Sequence, residues 1–456
     1  MRRTLLAATF CGVFPTLSVA APTTHEFKLD NGMKVIVKED RRAPVVVSQI
    51  WYKVGSSYEH NGITGVSHVL EHMMFKGTKK HPPNQFSRII SENGGKENAF
   101  TGDDYTTYFQ QLEKSRLAIS FELEADRMRN IVLPPAEFAK EIKVIMEERR
   151  MRTDDNPTSL THEQFNAVAF MNSPYRQPVI GWMNDLENMT VQDLRNWYQT
   201  WYTPNNATLV VVGDVDAQQT FALARKYFGP IKSNPVPAVK PQQEIEQKGQ
   251  RRITVKAPAE LPYLVMGYKT PGARSAKEAW EPYALDMLSG ILDGGDSARF
   301  AKHLVRGSQV AASAGAGYDP FTRLDQLFTL DGTPAQGHTV QELETALREQ
   351  VKKVRDELVT ADELERVKAQ VIASKVYERD SNFYQAMQIG MLETVGLPWK
   401  LHDEYLDRIK AVTPEQVRQV AQKYLIDDTL TIAVLDPLPL SKNKPTTQIP
   451  GGNHGH

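Results

Sequence analysis

Apolar and polar positions follow two periods along this chain, and the pattern they make occurs twice. In Gly65-Val-Ser-His-Val-Leu-Glu-His-Met-Met-Phe-Lys-Gly77, apolar residues stand at 66, 69, 70, 73 and 74. That is the spacing of one helical face, and Gly77 suits its exit. Pro135 to Arg152 predicts a second helix, with Phe138, Ile142, Val144 and Ile145 set among charges. Thr190 to Tyr202 predicts a third, with Thr190 and Asp193 at its N-terminal cap. A buried strand, Ala207-Thr-Leu-Val-Val-Val-Gly-Asp214, follows it.

The same order returns 223 residues later, counted from Thr190 to Thr413: Thr413 to Tyr424 is the helix and Thr429 to Asp436 the strand. The beginnings match more loosely. Lys34 to Lys38 leads to Trp51-Tyr-Lys53, as Arg252 to Lys256 leads to Gly267-Tyr-Lys269. This repetition predicts an α+β fold of two homologous α/β domains, each of about 200 residues. Their expected bounds are 21–232 and 253–437. Residues 233–252, rich in proline and glutamine and without apolar periodicity, read as a linker long enough for the halves to face each other across a cavity.

The ends read differently. Arg2 and Arg3, a short apolar run from Leu5 to Val13, and Ser18-Val19-Ala20 make residues 1–20 a secretory signal peptide, cut after Ala20. The expected location is therefore the periplasm or the exterior. Cys11 is the only cysteine and lies in that segment, so the mature chain has no disulfide to rely on. Residues 438–456 read as a flexible tail.

Composition narrows the partners. Over 456 residues, 54 Lys and Arg balance 55 Asp and Glu for a net charge of −1, which argues against nucleic acid as the main partner. No stretch approaches the roughly 20 apolar residues that span a bilayer.

The chemistry is concentrated in the first half. His68 and His72 are four apart on the first predicted helix, so both imidazoles project from one face, in position to clamp a single Zn²⁺ ion. Glu71 lies beside His72, where a carboxylate takes a proton from activated water. A catalytic zinc needs a third protein ligand and an open position. Glu148, on the Pro135–Arg152 helix, is the candidate. Glu141 shares its face seven residues earlier and would orient a ligand, while Glu147 points elsewhere. The second copy, near Tyr283-Ala-Leu-Asp-Met-Leu288, has no histidines, so one Zn²⁺ per chain is expected.

The order His68-Val-Leu-Glu71-His72 is the inverzincin signature. With Leu29 to Val37, Phe75-Lys-Gly-Thr78, Gly94 to Thr101, Glu147 to Arg152 and Asp155-Asn-Pro157, it resembles the pitrilysin/insulinase family of zinc metallopeptidases. The similarity is strongest to the bacterial branch akin to the mitochondrial processing peptidase. The resemblance implies a clam-shell of two related domains, with zinc held by His68, His72 and Glu148. It further implies Glu71 as the base that activates water, Glu141 as a supporting carboxylate, and hydrolysis of peptides inside a closed chamber. It also implies that Asn98, Ala99 and Phe100 belong to an edge strand, running on towards Tyr108, that pairs with the substrate backbone.

One departure stands out. In the family a Leu-Arg and a later Tyr in the C-terminal domain stabilise the reacting carbonyl oxygen, whereas this chain has Val305 and Ala312 at those places, with Arg306 and Tyr318 out of register. Such departures accompany family members whose pair comes from a partner, which implies a dimer with a paralogous subunit. Two competing readings are a non-catalytic assembly subunit and a zinc-dependent peptide-binding module.

Overall fold

Five strand positions occur twice, in the same order and with the same relative directions. In the computed structural model, which describes residues 23–240 and 242–440, the first sheet contains β1 (Thr24–Lys28), β2 (Lys34–Glu39), β3 (Val45–Tyr52), β4 (Lys96–Thr101), β5 (Thr106–Glu113) and β6 (Ala207–Gly213). The second contains β7 (Arg251–Pro258), β8 (Tyr263–Thr270), β9 (Ala311–Gly317), β10 (Gln326–Pro334) and β11 (Leu430–Leu438). The orders are β1-β2-β6-β3-β5-β4 and β7-β11-β8-β10-β9. β2 runs parallel to β6 as β7 does to β11, and every other pairing is antiparallel. The first half differs by the added edge strand β1.

Helices accompany each sheet as the periodicity predicts. Val191–Trp201 begins with a reciprocal cap between Thr190 and Asp193, and Pro414–Tyr424 begins with the same device between Thr413 and Gln416. The signal-peptide segment, with Cys11, and the tail beyond Leu440 lie outside the described residues. Among the described residues, no helix is long and apolar enough to cross a membrane.

Each sheet is apolar on both faces, and each half lends the other a helix to cover the second face. Along β3, Val46, Ile50 and Tyr52 join the core of the first half, while Val47 and Trp51 face the opposite way. Those two pack against Ala386 and Ile389 of the helix Asn382–Val395, which belongs to the second half. A Cβ on Gly390 would come within 2.2 Å of the Trp51 ring, so this close approach requires glycine. In return the helix Pro157–Ala169 places Phe165 and Ala169 on Val265, Leu327, Ala433 and Leu435 of the second sheet.

Two local expectations change, and the linker gains an anchor. The strand expected from Asn98 towards Tyr108 is a hairpin: β4 ends at Thr101, and Tyr108 lies on β5, paired with Ala99. The helix expected over Pro135–Arg152 is α-helical only to Arg149 and widens into a π-turn over Arg150–Asp154. The linker is pinned midway, because Glu244 accepts the backbone N–H groups of Met171, Asn172 and Ser173 at 2.9–3.0 Å and pairs with Lys269 at 2.5 Å.

Candidate metal centre

The helix carrying the histidines, Val66–Met73, is buried along nearly its whole length. Two carboxylates moor the loop that leads into it. Glu59 accepts the N–H groups of Gly65 at 2.6 Å and Ser67 at 2.8 Å, satisfying donors that the first helical turn leaves open. Asp185 accepts those of Gly62 and Thr64 at 3.0 and 3.1 Å. Trp197 donates to Ser67 Oγ at 3.1 Å, tying the helix to Val191–Trp201.

Burial pushes the Glu59 carboxyl up to about 7, against the lowering effect of its two backbone donors. The unfolded chain releases that proton near the ordinary value of 4.5. Between these values the native state holds more protons than the unfolded one, so this group makes stability fall as pH rises from about 4.5 to 7. Glu59→Gln is therefore expected to flatten that fall. Denaturant midpoints at pH 5 and pH 8 should lie closer together in the variant than in the wild type. The same pH slope in both proteins would refute the assignment.

His68 and His72 lie one turn apart, with ring centroids 4.7 Å from each other. From the helix Pro135–Arg149, Glu148 brings Oε2 to 3.5 Å from His72 Nε2 and 3.9 Å from His68 Nε2. One ligand atom from each of the three residues falls within 4.8 Å of the others. Tetrahedral ligands at 2.0–2.1 Å from zinc stand about 3.4 Å apart, so two nitrogens and an oxygen in this arrangement fit that ion with small adjustment. His72 Nδ1 donates to Glu141 Oε1 at 2.9 Å, which leaves Nε2 directed at the cluster. Lys76 pairs with the other Glu141 oxygen at 2.6 Å. Burial raises the Glu141 carboxyl, but its bonds to His72 and Lys76 outweigh that and keep it below its usual range.

Glu71 is 5% exposed and lines the same cavity as His68 and Glu148, a space of about 390 Å³. Burial pushes its carboxyl up, partly opposed by a hydrogen bond that Thr101 Oγ1 donates to Oε2. A raised carboxyl suits proton transfer near neutral pH. Arg149 holds the second helix in place: it makes a two-point pair with Glu163 at 2.7 and 2.8 Å and donates to the Gly181 carbonyl at 2.8 Å.

β4 is an edge strand, beside this cavity. Phe100 and Thr101 line it. Ala99 is buried in the first core, and its N–H donates to Asn98 Oδ1 at 2.9 Å. On the far side, Val305 and Ala312 stand in a π-turn and in β9. Arg306 donates to the Asp296 carbonyl, and the Tyr318 hydroxyl donates to the Pro271 carbonyl at 2.6 Å. Neither of those side chains is on the wall of the metal cavity; Arg152 is, paired with Glu148 at 3.0 Å.

Three residues here were not singled out from the sequence. Lys76 and Arg152 carried a legible signal, each four residues beyond a candidate ligand in a segment of helical periodicity. Thr101 had none, because only sheet pairing brings it to Glu71.

Comparison with known proteins adds to this geometry. Residues 34–182 match the family model described as insulinase (peptidase family M16), and residues 188–371 match the model described as peptidase M16 inactive domain. His68, Glu71, His72, Glu141 and Glu148 all fall in the first match. The chain is 33% identical over 359 residues to the zinc protease PqqE of Helicobacter pylori, covering 76% of this chain and 78% of that one. It is 25% identical over 413 residues to an uncharacterized zinc protease, YmxG, of Bacillus subtilis, covering 90% and 98%. A crystal structure of a protease from Helicobacter pylori superposes with a TM-score of 0.86 at 29% identity, over 91% of this chain and 100% of that one.

Proposed function

The chain belongs to the insulinase family of peptidases, family M16, and from that footing we propose that it is a zinc-dependent endopeptidase. Its substrates would be peptides or unfolded segments able to enter the space between the halves. The observation that carries this reading is the convergence of His68, His72 and Glu148, with His68 and Glu148 sharing a cavity wall with the buried Glu71.

Zinc bound there would supply a Lewis acid for the scissile carbonyl and acidify water at neutral pH. His68, His72 and Glu148 would hold the ion, and Glu141 fixes the ring of His72. Glu71, with Oε2 held by Thr101, receives the proton of the attacking water and passes it to the leaving amine. The exposed edge of β4 pairs with the substrate backbone, which gives affinity without reading sequence. Since the side chains of Val305 and Ala312 bear no donor for the oxygen that becomes negative, a paralogous partner supplies the arginine and tyrosine. The N-terminal segment, outside the described residues, directs the protein to the periplasm or the exterior.

The test is digestion of a mixed peptide pool by the purified chain, alone and with its paralogue, with product ends read by mass spectrometry. Cleavage is expected to depend on one zinc per chain, to stop with chelator, to return on adding zinc, and to rise with the paralogue present. Chelator-resistant cleavage would refute the metal role, and full activity of the lone chain would refute the need for a partner.

A further inference from the structure

Arg149, Arg150 and Arg152 close the helix that carries Glu148, and each meets a different carboxylate. Arg149 turns inward to Glu163, while Arg150 stays on the surface, 3.0 Å from Glu147. Arg152 sits in the π-turn, where its Nη1 lies 3.0 Å from Glu148 Oε1. This contact is unlike an ordinary surface pair. The Glu148 side chain is only 12% exposed, and its Oε1 atom is buried without a hydrogen bond among the described residues. A buried carboxylate oxygen in that state is costly, so the nearby guanidinium charge is what offsets it. Among the described residues, Arg152 is also the only lysine or arginine on the wall of the metal cavity.

The two oxygens of Glu148 are therefore turned to different uses. Both histidine Nε2 atoms approach Oε2, at 3.5 and 3.9 Å, whereas Oε1 faces the guanidinium. A carboxylate can hold a metal with one oxygen or with two. A second oxygen would take the position that a catalytic zinc site keeps open. A cation already seated on Oε1 opposes that second bond. The other arm of the site is backed in the same way, since Lys76 pairs with Glu141, which in turn holds His72. Such outer partners orient the groups that touch a metal. Because Oε2 is turned to the histidines, Arg152 does not grip both oxygens in a planar fork. Its charge therefore matters more than its shape.

We propose that Arg152 is a positioning residue: it reserves Glu148 Oε1, so that the carboxylate offers a bound metal only Oε2 and one coordination position stays open. The proposal rests on the metal centre of the peptidase reading, and it is tested by spectroscopy, apart from cleavage. The full chain and its Arg152→Gln, Arg152→Lys and Arg150→Gln variants are loaded with one Co²⁺ per chain, and their visible absorption is compared. Arg152→Gln is expected to lose about half or more of the band intensity, as the site passes from four ligand atoms to five. Arg152→Lys, which keeps the charge, should retain the wild-type spectrum. So should Arg150→Gln, which removes an equal charge that faces Glu147 instead. Arg152 is 53% exposed, so the metal-free Arg152→Gln chain should keep its urea midpoint, which separates a local change from unfolding. A wild-type spectrum in Arg152→Gln, or an equal loss in Arg150→Gln or Arg152→Lys, would overturn the positioning role. A wild-type chain that shows the four-coordinate spectrum but cuts no peptide with zinc bound would instead overturn the peptidase reading alone.

Discussion

Glu71→Gln is expected to leave zinc bound and to lower peptide hydrolysis by about 10²- to 10⁴-fold. The amide has the size of the carboxylate, and its oxygen can still accept the Thr101 hydroxyl, so the buried pocket keeps its shape. His68, His72 and Glu148 are untouched. What disappears is a group able to take a proton, and none of the other acidic side chains on the wall replaces it. Glu148 would be taken up as a ligand, and Glu163 is held by two guanidinium nitrogens of Arg149. Zinc stoichiometry by atomic absorption and rates on one peptide give the answer together. Unchanged hydrolysis would remove Glu71 from the mechanism, and loss of zinc would make it a structural residue. A wild-type chain that binds zinc but cuts nothing would favour the assembly role, in which the fold is kept and the chemistry is not used.

Arg127→Met is expected to cost about 3–5 kcal/mol of stability. Arg127 and Glu124 are each about 1% exposed and are joined by two hydrogen bonds, at 2.6 and 2.9 Å. The guanidinium also lies 4.2 Å from the Tyr108 ring centroid and 4.4 Å from that of Phe86. Removing it strands the Glu124 charge in the core with, among the described residues, only Gln110 to donate to it, at 2.6 Å. The loss from one deleted partner far exceeds that from a surface pair such as Lys140 and Glu137, worth at most about 1 kcal/mol. Because Gln110 and Tyr108 belong to β5, the damage also reaches the strand that supports β4. Urea titration of wild type and variant measures the cost. Adding Glu124→Leu should restore much of it, since a matched apolar pair replaces the stranded charge. A loss below about 1 kcal/mol would show that the pair is not held dry.

Much of the site was legible because it is local. His68 and His72 share a face for the same reason that Val66, Val69, Leu70 and Met73 share another, and that spacing is written in eight consecutive residues. The cap at Thr190 was legible for the same reason. Glu148 needed more. Helical periodicity placed it on the face of Glu141, but nothing within its own segment says which histidines that face meets. Thr101 and Arg323 were out of reach, since their partners Glu71 and Asp104 lie 30 and 219 residues away.

The sequence by itself determined that two copies of one α/β unit are present, that one copy carries the metal-binding pattern, and which face of each helix is apolar. Tertiary structure alone decided what covers those faces. A hydrophobic stripe records that it must leave water, not which surface it must meet, because burial is non-directional. Phe165 therefore reads as core in either half, and only the packed chain reveals that its helix covers the second sheet while Asn382–Val395 covers the first. That exchange sets the halves against each other, and it is why the turn after β4 and the segment after β9 come to share one cavity.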